Sequence, residues 1–192
     1  MSLPRVETVT YEHSNFQETP LAPGAYENCK FLHCSFQNTD LSGSSFTDCT
    51  FRGCNLSLVQ LHDTVFRDTH FQECKLIGLH FEQCNDFGLS FSFDSCRLNH
   101  TSFYQAGIRK TVFTNCELLE VDFTESDLAE AIFDQCDLTG ATFERTKLQG
   151  ADFRTAAHYQ ISPETNQLRK GRFALPGVLG LLQGYGIEID LS

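Results

Sequence analysis

From Phe16 onward a bulky apolar residue falls at every fifth position: Phe16, Leu21, Tyr26, Phe31, Phe36, Leu41, Phe46, Phe51, Leu56, Leu61, Phe66, Phe71, Leu76 and Phe81. The run breaks at Asp86 and resumes two residues out of phase at Phe93, continuing through Leu98, Phe103, Ile108, Phe113, Leu118 and Phe123 to Phe153. A period of five fits neither the 3.6 of a helix nor the plain 2 of a strand. Three extended residues followed by a two-residue corner would produce it. Side chains alternate in an extended segment, so the residue two before each centre must also point inward and has to be small. Those positions hold Cys29, Cys34, Thr39, Ser44, Cys49, Cys54, Thr64 and Thr69, then Cys96, Thr101, Ala106, Thr111 and Cys116. Only Leu79 and Phe91 are large, and both flank the break. Cys34, Cys54 and Cys74 recur every twenty residues, as do Cys96, Cys116 and Cys136, so four five-residue sides make one coil.

This pattern resembles the pentapeptide-repeat family, whose consensus A(D/N)LXX is similar to CDLTG, ATFER, TKLQG and ADFRT between residues 136 and 155. The resemblance implies an all-β fold, a right-handed quadrilateral β-helix of about seven coils, roughly 30 Å long at ~4.8 Å per coil. By family analogy its width is close to that of duplex DNA. The expected organisation is an N-terminal lead-in over 1–13, the β-helix over 14–157 with a phase slip at 82–92, and a C-terminal α-helical cap and dimerisation segment over 158–192. Ser162-Pro163-Glu164 reads as a helix start with Pro in the first turn, and 176–183 as a second short helix followed by an extended GIEID.

Fifteen of the 18 phenylalanines fill inward centres, and all nine cysteines fall in the small inward column, Cys84 included. The stretch NCKFLHCSF looks like a metal site, but Cys29 and Cys34 point inward while His33 sits at a corner. His70 and His80 point outward and the nearby Cys74 and Cys84 inward, so no tetrahedral ion can be shared across the wall. The expectation is free thiols as core fillers, with no metal and no cofactor. A filled tube has no interior pocket, and no phosphate loop, HExxH, GxSxG or CxxC is present, so an enzyme is not expected. No apolar run is long enough for a membrane helix and the N-terminus lacks a signal-peptide pattern, which predicts a cytoplasmic protein.

The net charge of −11 disfavours direct nucleic-acid binding and favours a basic protein partner. Between Thr111 and Glu144 the acids Glu117, Glu120, Asp122, Glu125, Asp127, Glu130, Asp134, Asp137 and Glu144 occur without a Lys or Arg, all off the inward columns. They predict a solvent-facing acidic band for partner binding. At the slip, Asp86 and Phe87 are candidates for a small recognition loop, with an exposed Phe87 favouring recognition and an inward one favouring simple repair of the wall. At the C-terminus, Leu175, Leu179, Leu182, Tyr185, Ile187 and Ile189 exceed what one coil end can cover and predict a homodimer interface.

The string LP-x(4)-LL-x(3)-GIEI resembles the C-terminal end of Qnr-type quinolone-resistance proteins and the related albicidin-resistance protein, which dimerise there. That resemblance implies a DNA mimic that engages type II topoisomerases, DNA gyrase or topoisomerase IV, and relieves their poisoning by quinolones or natural toxins. Several Qnr proteins carry larger loops than the short slip here. A general interaction scaffold for another partner is the alternative reading.

Overall fold

The structure, a computed structural model, describes residues 3–188 and 190. The chain winds as a four-sided parallel β-solenoid. Its first side is a sheet of β1 (Arg5–Glu7), β3 (Ala25–Glu27), β5 (Ser45–Thr47) and β7 (Val65–Arg67). Its second side is a longer sheet of β2 (Thr10–Glu12), β4 (Lys30–Leu32), β6 (Thr50–Arg52), β8 (Thr69–Gln72), β9 (Phe91–Asp94), β10 (Val112–Thr114) and β11 (Ile132–Asp134). Each of the seven strands of the second side comes from a successive coil. The third and fourth sides are held by isolated parallel bridges, such as Arg97 to Glu117 to Asp137 on the third and His80 to Ser102 to Asp122 to Thr142 on the fourth.

The corners explain the period. The residue two after most centres takes a left-handed conformation, as at Asn28, His33, Asn38 and Asp48 with φ between 51° and 56°. Such a conformation costs an L-residue roughly 1–2 kcal/mol, and each corner amide offsets it by bonding to the next coil: His33 to the Arg52 carbonyl at 2.8 Å, Asn38 to that of Ser57 at 3.1 Å. At one corner glycine leaves room for its neighbour: a Cβ at Gly53, which has φ +62°, would lie 2.4 Å from His33 Nδ1 and push that exposed ring aside.

Inside, the registered coils stack like on like. Tyr11, Phe31, Phe51, Phe71, Phe93, Phe113, Phe133, Phe153 and Phe173 form one continuous column, with successive centroids 4.6–5.4 Å apart. Phe81, Phe103, Phe123 and Phe143 form another on the fourth side, meeting the first edge to face, as Phe113 meets Phe123 at 6.2 Å and 78°. Cys34, Cys54, Cys74, Cys96, Cys116 and Cys136 stack beside them, all buried and free. All but the Cys116 thiol donate to backbone carbonyls one coil back, Cys54 to Phe31 at 3.2 Å and Cys74 to Phe51 at 3.3 Å, while Cys116 donates to Thr114 on its own coil. Burial pushes the Cys34, Cys49 and Cys74 thiols up, Cys49 to about 12. His33 is exposed where Cys34 is buried, and among the described residues no group of His, Cys, Asp or Glu could hold a metal ion.

The wall extends beyond 14–157 at both ends. Val6 and Tyr11 lie in the five-residue phase, and β1 and β2 pair with β3 and β4, so residues 5–12 form wall and not a lead-in. At the other end Lys147 bridges Gln167 and Asp152 bridges Arg172, because Leu168 and Phe173 keep the twenty-residue spacing. Ser162-Pro163-Glu164 forms a turn and no helix. Asn166 occupies the small inward column there, its Oδ1 accepting from the Thr146 amide at 2.8 Å and its Nδ2 donating to the Phe143 carbonyl at 2.9 Å. The cap is one short helical segment: a 3-10 turn over Leu175–Val178, α1 (Leu179–Leu182) and a second 3-10 turn over Gln183–Tyr185. The expected extended segment after it forms no strand among its described residues.

The phase slip is a two-residue insertion: Phe71 pairs with Phe93, 22 residues on, where other coils pair at 20. The first-side sheet ends beneath it at β7, and the excursion is pinned to that edge by the Asn85 amide on the Thr64 carbonyl at 2.9 Å and the Ser90 amide on the Phe66 carbonyl at 3.0 Å. The position that should continue the Tyr26, Phe46, Phe66 column is the exposed Asp86, and Phe91, large in a column of small residues, lies buried beside Phe81 and Phe93 with centroids 5.1 and 5.0 Å away.

Candidate acidic interface

The acids between 111 and 144 do not form one stripe. A coil takes twenty residues, so this stretch wraps the tube completely. Glu117 and Asp137 come to the third side, Asp122 to the fourth, Asp127 to the first and Asp134 to the second, with Glu120, Glu125 and Glu130 at left-handed corners of φ 54°, 59° and 62°. Coils above and below supply the bases that the linear stretch lacks. Arg97 reaches Glu117 at 3.3 Å, Arg109 reaches Asp127 at 3.3 Å and Glu130 at 3.5 Å, Lys110 reaches Glu130 at 3.9 Å, and Lys147 reaches Asp127 at 3.8 Å. Imidazoles face two more, His100 by Glu120 at 3.3 Å and His158 by Asp137 at 2.9 Å. Asp134 accepts from the Thr155 hydroxyl at 2.7 Å. The band is therefore a collar, and on three sides it is largely paired.

Charge does segregate, but by side. Asp40, Asp63, Glu82, Asp122, Glu125, Glu144 and Glu164 follow one another up the fourth side and its corner, with Asp86 beside them in the excursion. Arg145 is the only Lys or Arg there among the described residues, 2.5 Å from Glu125 and 3.7 Å from Glu144. From Asp40 to Glu164 the row spans about 29 Å at ~4.8 Å per coil. The remaining Arg pairs, such as Arg5 with Glu27, Arg52 with Glu73 and Arg154 with Asp152, lie on the first and second sides, while His80 meets Glu82 on the fourth at 2.8 Å.

Local hydrogen bonds fix these carboxylates. Asp40 accepts from the Ser42 amide at 2.8 Å, and the Ser42 hydroxyl and amide hold it below the usual carboxylate range. Asp122 accepts from the Thr124 amide at 2.9 Å. Glu125 is held low by Gln105, 2.7 Å away, and by Arg145. Aspartates in this position close a side-chain turn over the following corner, so the same residues that shape the wall fix negative charge on it. The row is readable from the sequence once it is folded onto a twenty-residue period; read linearly, its members are dispersed over more than a hundred residues.

Phe87 is 77% exposed on the excursion. Arg67 lies 5.5 Å over its ring and its Nη2 donates to the Phe87 carbonyl at 3.4 Å. Asp86 is exposed beside it. At the cap, Leu175 is 86% exposed and Tyr185 and Ile187 are exposed, whereas Leu179 and Leu182 are half-buried; Ile189 lies outside the described residues. Leu181, which sequence reasoning did not single out, packs against the core. The cap lies on Tyr159 through two glycines: a Cβ at Gly177 would meet its hydroxyl, and one at Gly180 its backbone carbonyl, each at 2.1 Å. Among the described residues no helix is long and apolar enough to cross a membrane.

No curated protein sequence matches the chain. Among solved structures it is similar to full-length QnrB1, a plasmid-mediated fluoroquinolone resistance protein, at 18% identity and TM-score 0.53, covering 95% of this chain and 100% of that one. It is also similar to HetL, a pentapeptide repeat protein involved in heterocyst differentiation regulation from the cyanobacterium Nostoc, at 13% identity and TM-score 0.40, covering 92% and 89%. These likenesses are of fold. The family description "Pentapeptide repeat region" matches residues 25–92 and 89–161, most of the solenoid wall, and the chain belongs to the pentapeptide repeat family.

Proposed function

We propose that this protein is a non-enzymatic DNA mimic that presents its fourth side to a basic DNA-binding groove of a protein partner, a type II topoisomerase. The observation that carries the reading is the acidic row from Asp40 to Glu164 with Arg145 as its one Lys or Arg among the described residues. A rod with fixed carboxylates along one side offers a basic groove the charge that it meets on a nucleic-acid backbone, and such complementarity acts mainly on encounter and register. The fold shared with a fluoroquinolone resistance protein makes DNA gyrase and topoisomerase IV the first partners to test. The protein is expected to bind a gyrase or topoisomerase IV subunit and to alter supercoiling with or without ciprofloxacin. No effect and no binding at roughly micromolar protein, an affinity of about 8 kcal/mol, would sink the proposal.

Dimerisation through the cap belongs to the same reading, supported by the exposed Leu175, Tyr185 and Ile187. Gly180→Ala should lift the cap from Tyr159, because the obstructing atom is backbone and cannot move aside. In sedimentation the wild-type chain is expected to run as a dimer and Gly180→Ala as a monomer with its wall intact. A monomeric wild type rejects this interface.

A further inference from the structure

Where the wall slips, the fourth side carries a notch of about 320 Å³, bounded by Phe81, Glu82, Asp86, Leu89, Tyr104 and Gln105. Successive coils of a regular wall sit only ~4.8 Å apart and admit nothing from outside; the two inserted residues open a gap. One oxygen of Glu82 lies 2.8 Å from His80 Nδ1. The other, Oε2, is shut off from solvent and has no hydrogen-bond partner among the described residues. Buried acceptors are rarely left unpaired, so this oxygen calls for a donor. Asp86 adds a second carboxylate, and the half-open Tyr104 adds an aromatic wall. Arg67, the arginine at the excursion, does not fill the space: it is engaged by the ring and carbonyl of Phe87, and neither residue borders the notch.

We propose that the notch receives a single arginine side chain of the protein partner. A guanidinium can donate in its plane to Asp86 and, once the partly exposed Glu82 side chain turns its covered Oε2 into the notch, to that oxygen as well, while its face rests on Tyr104; it is also less strongly hydrated than an ammonium. This rests on the reading that the acidic side meets a basic partner, and adds what fixes the register. A side that repeats every coil has no preferred position along the rod; the notch at the slip supplies one.

The test titrates the full-length protein with N-acetyl-arginine methylamide and, separately, its lysine counterpart, following NMR shifts at Glu82 and Tyr104. The arginine probe should saturate the notch and bind at least about fivefold more tightly than lysine. Glu82→Gln and Tyr104→Ala should each weaken it about tenfold with the melting temperature retained. No saturable shift, or equal binding of the two probes, overturns the assignment. With topoisomerase, Glu82→Gln should weaken binding about tenfold and Asp122→Asn, on the open row, only about two- to threefold. Equal losses remove the notch and leave the DNA-mimic reading standing. A wild-type protein that binds the arginine probe but no topoisomerase removes that reading and leaves the notch to another basic partner.

Discussion

Replacing Phe123 by alanine is expected to destabilise the protein by about 3–5 kcal/mol, measured as the shift of the urea unfolding midpoint. Phe123 is fully buried, stacked on Phe103 and Phe143 with centroids 5.4 and 5.1 Å away and edge to face with Phe113 and Phe133 at 6.2 and 5.9 Å. The cost depends on how far the surroundings can close over the gap. Here they are held by the coil-to-coil ladder: the Phe123 amide bonds to the Thr142 carbonyl at 2.9 Å and the Asp122 amide to the Thr101 carbonyl at 3.0 Å. A coil cannot sink inward without breaking these bonds, so the cavity should persist and the loss should fall toward the upper end. Phe87→Ala, at an exposed ring, should change stability by no more than about 0.5 kcal/mol. A loss below about 1 kcal/mol at Phe123 would mean that the tube deforms around missing rings and that its aromatic columns are not rigid.

The wall was legible because solenoid packing is nearly one-dimensional: whether a side chain points in or out depends on its place in the pentapeptide, and neighbours follow at a fixed interval. That rule places Phe31 beside Cys29 in the interior, puts His33 at a corner and locates the slip near Asp86. It also contains Val6, Tyr11, Leu168 and Phe173, which the expected bounds of 14–157 leave out. The surface was harder to read, since two residues adjacent on it are twenty apart in the chain. Asp127 looks unpaired among its sequence neighbours, yet it lies between Arg109 and Lys147. Asp40 and Asp122 look unrelated, yet they share a side. The cap was least legible: the fit of Gly177 and Gly180 over Tyr159 depends on a chain reversal that no local pattern encodes.

Reversing Asp63, Asp122 and Glu144 to lysine is expected to reduce binding to a topoisomerase subunit at least about a hundredfold, because like charges facing across an interface cost several kcal/mol. Each substitution adds two positive charges, taking the net charge from −11 to −5. The same change on the second side, Glu73, Asp94 and Asp134 to lysine, gives the same net charge with the fourth side untouched, and should lower affinity no more than about threefold through weaker long-range steering. Both variants should fold, since all six side chains point away from the core and the hydrogen bonds lost on the fourth side are those that Asp122 accepts from the Thr124 amide and Asp63 from Asn85 Nδ2, about 1 kcal/mol each. The pair of variants separates two explanations that net charge alone leaves mixed. If they lose affinity equally, the partner responds to total charge and no side of the rod is its docking surface. If only the fourth-side variant fails, attraction resides in one row of carboxylates about 29 Å long, whose straightness follows from four-sided coils stacking at ~4.8 Å. The regularity that packs phenylalanine on phenylalanine inside would then also align the negative charge outside.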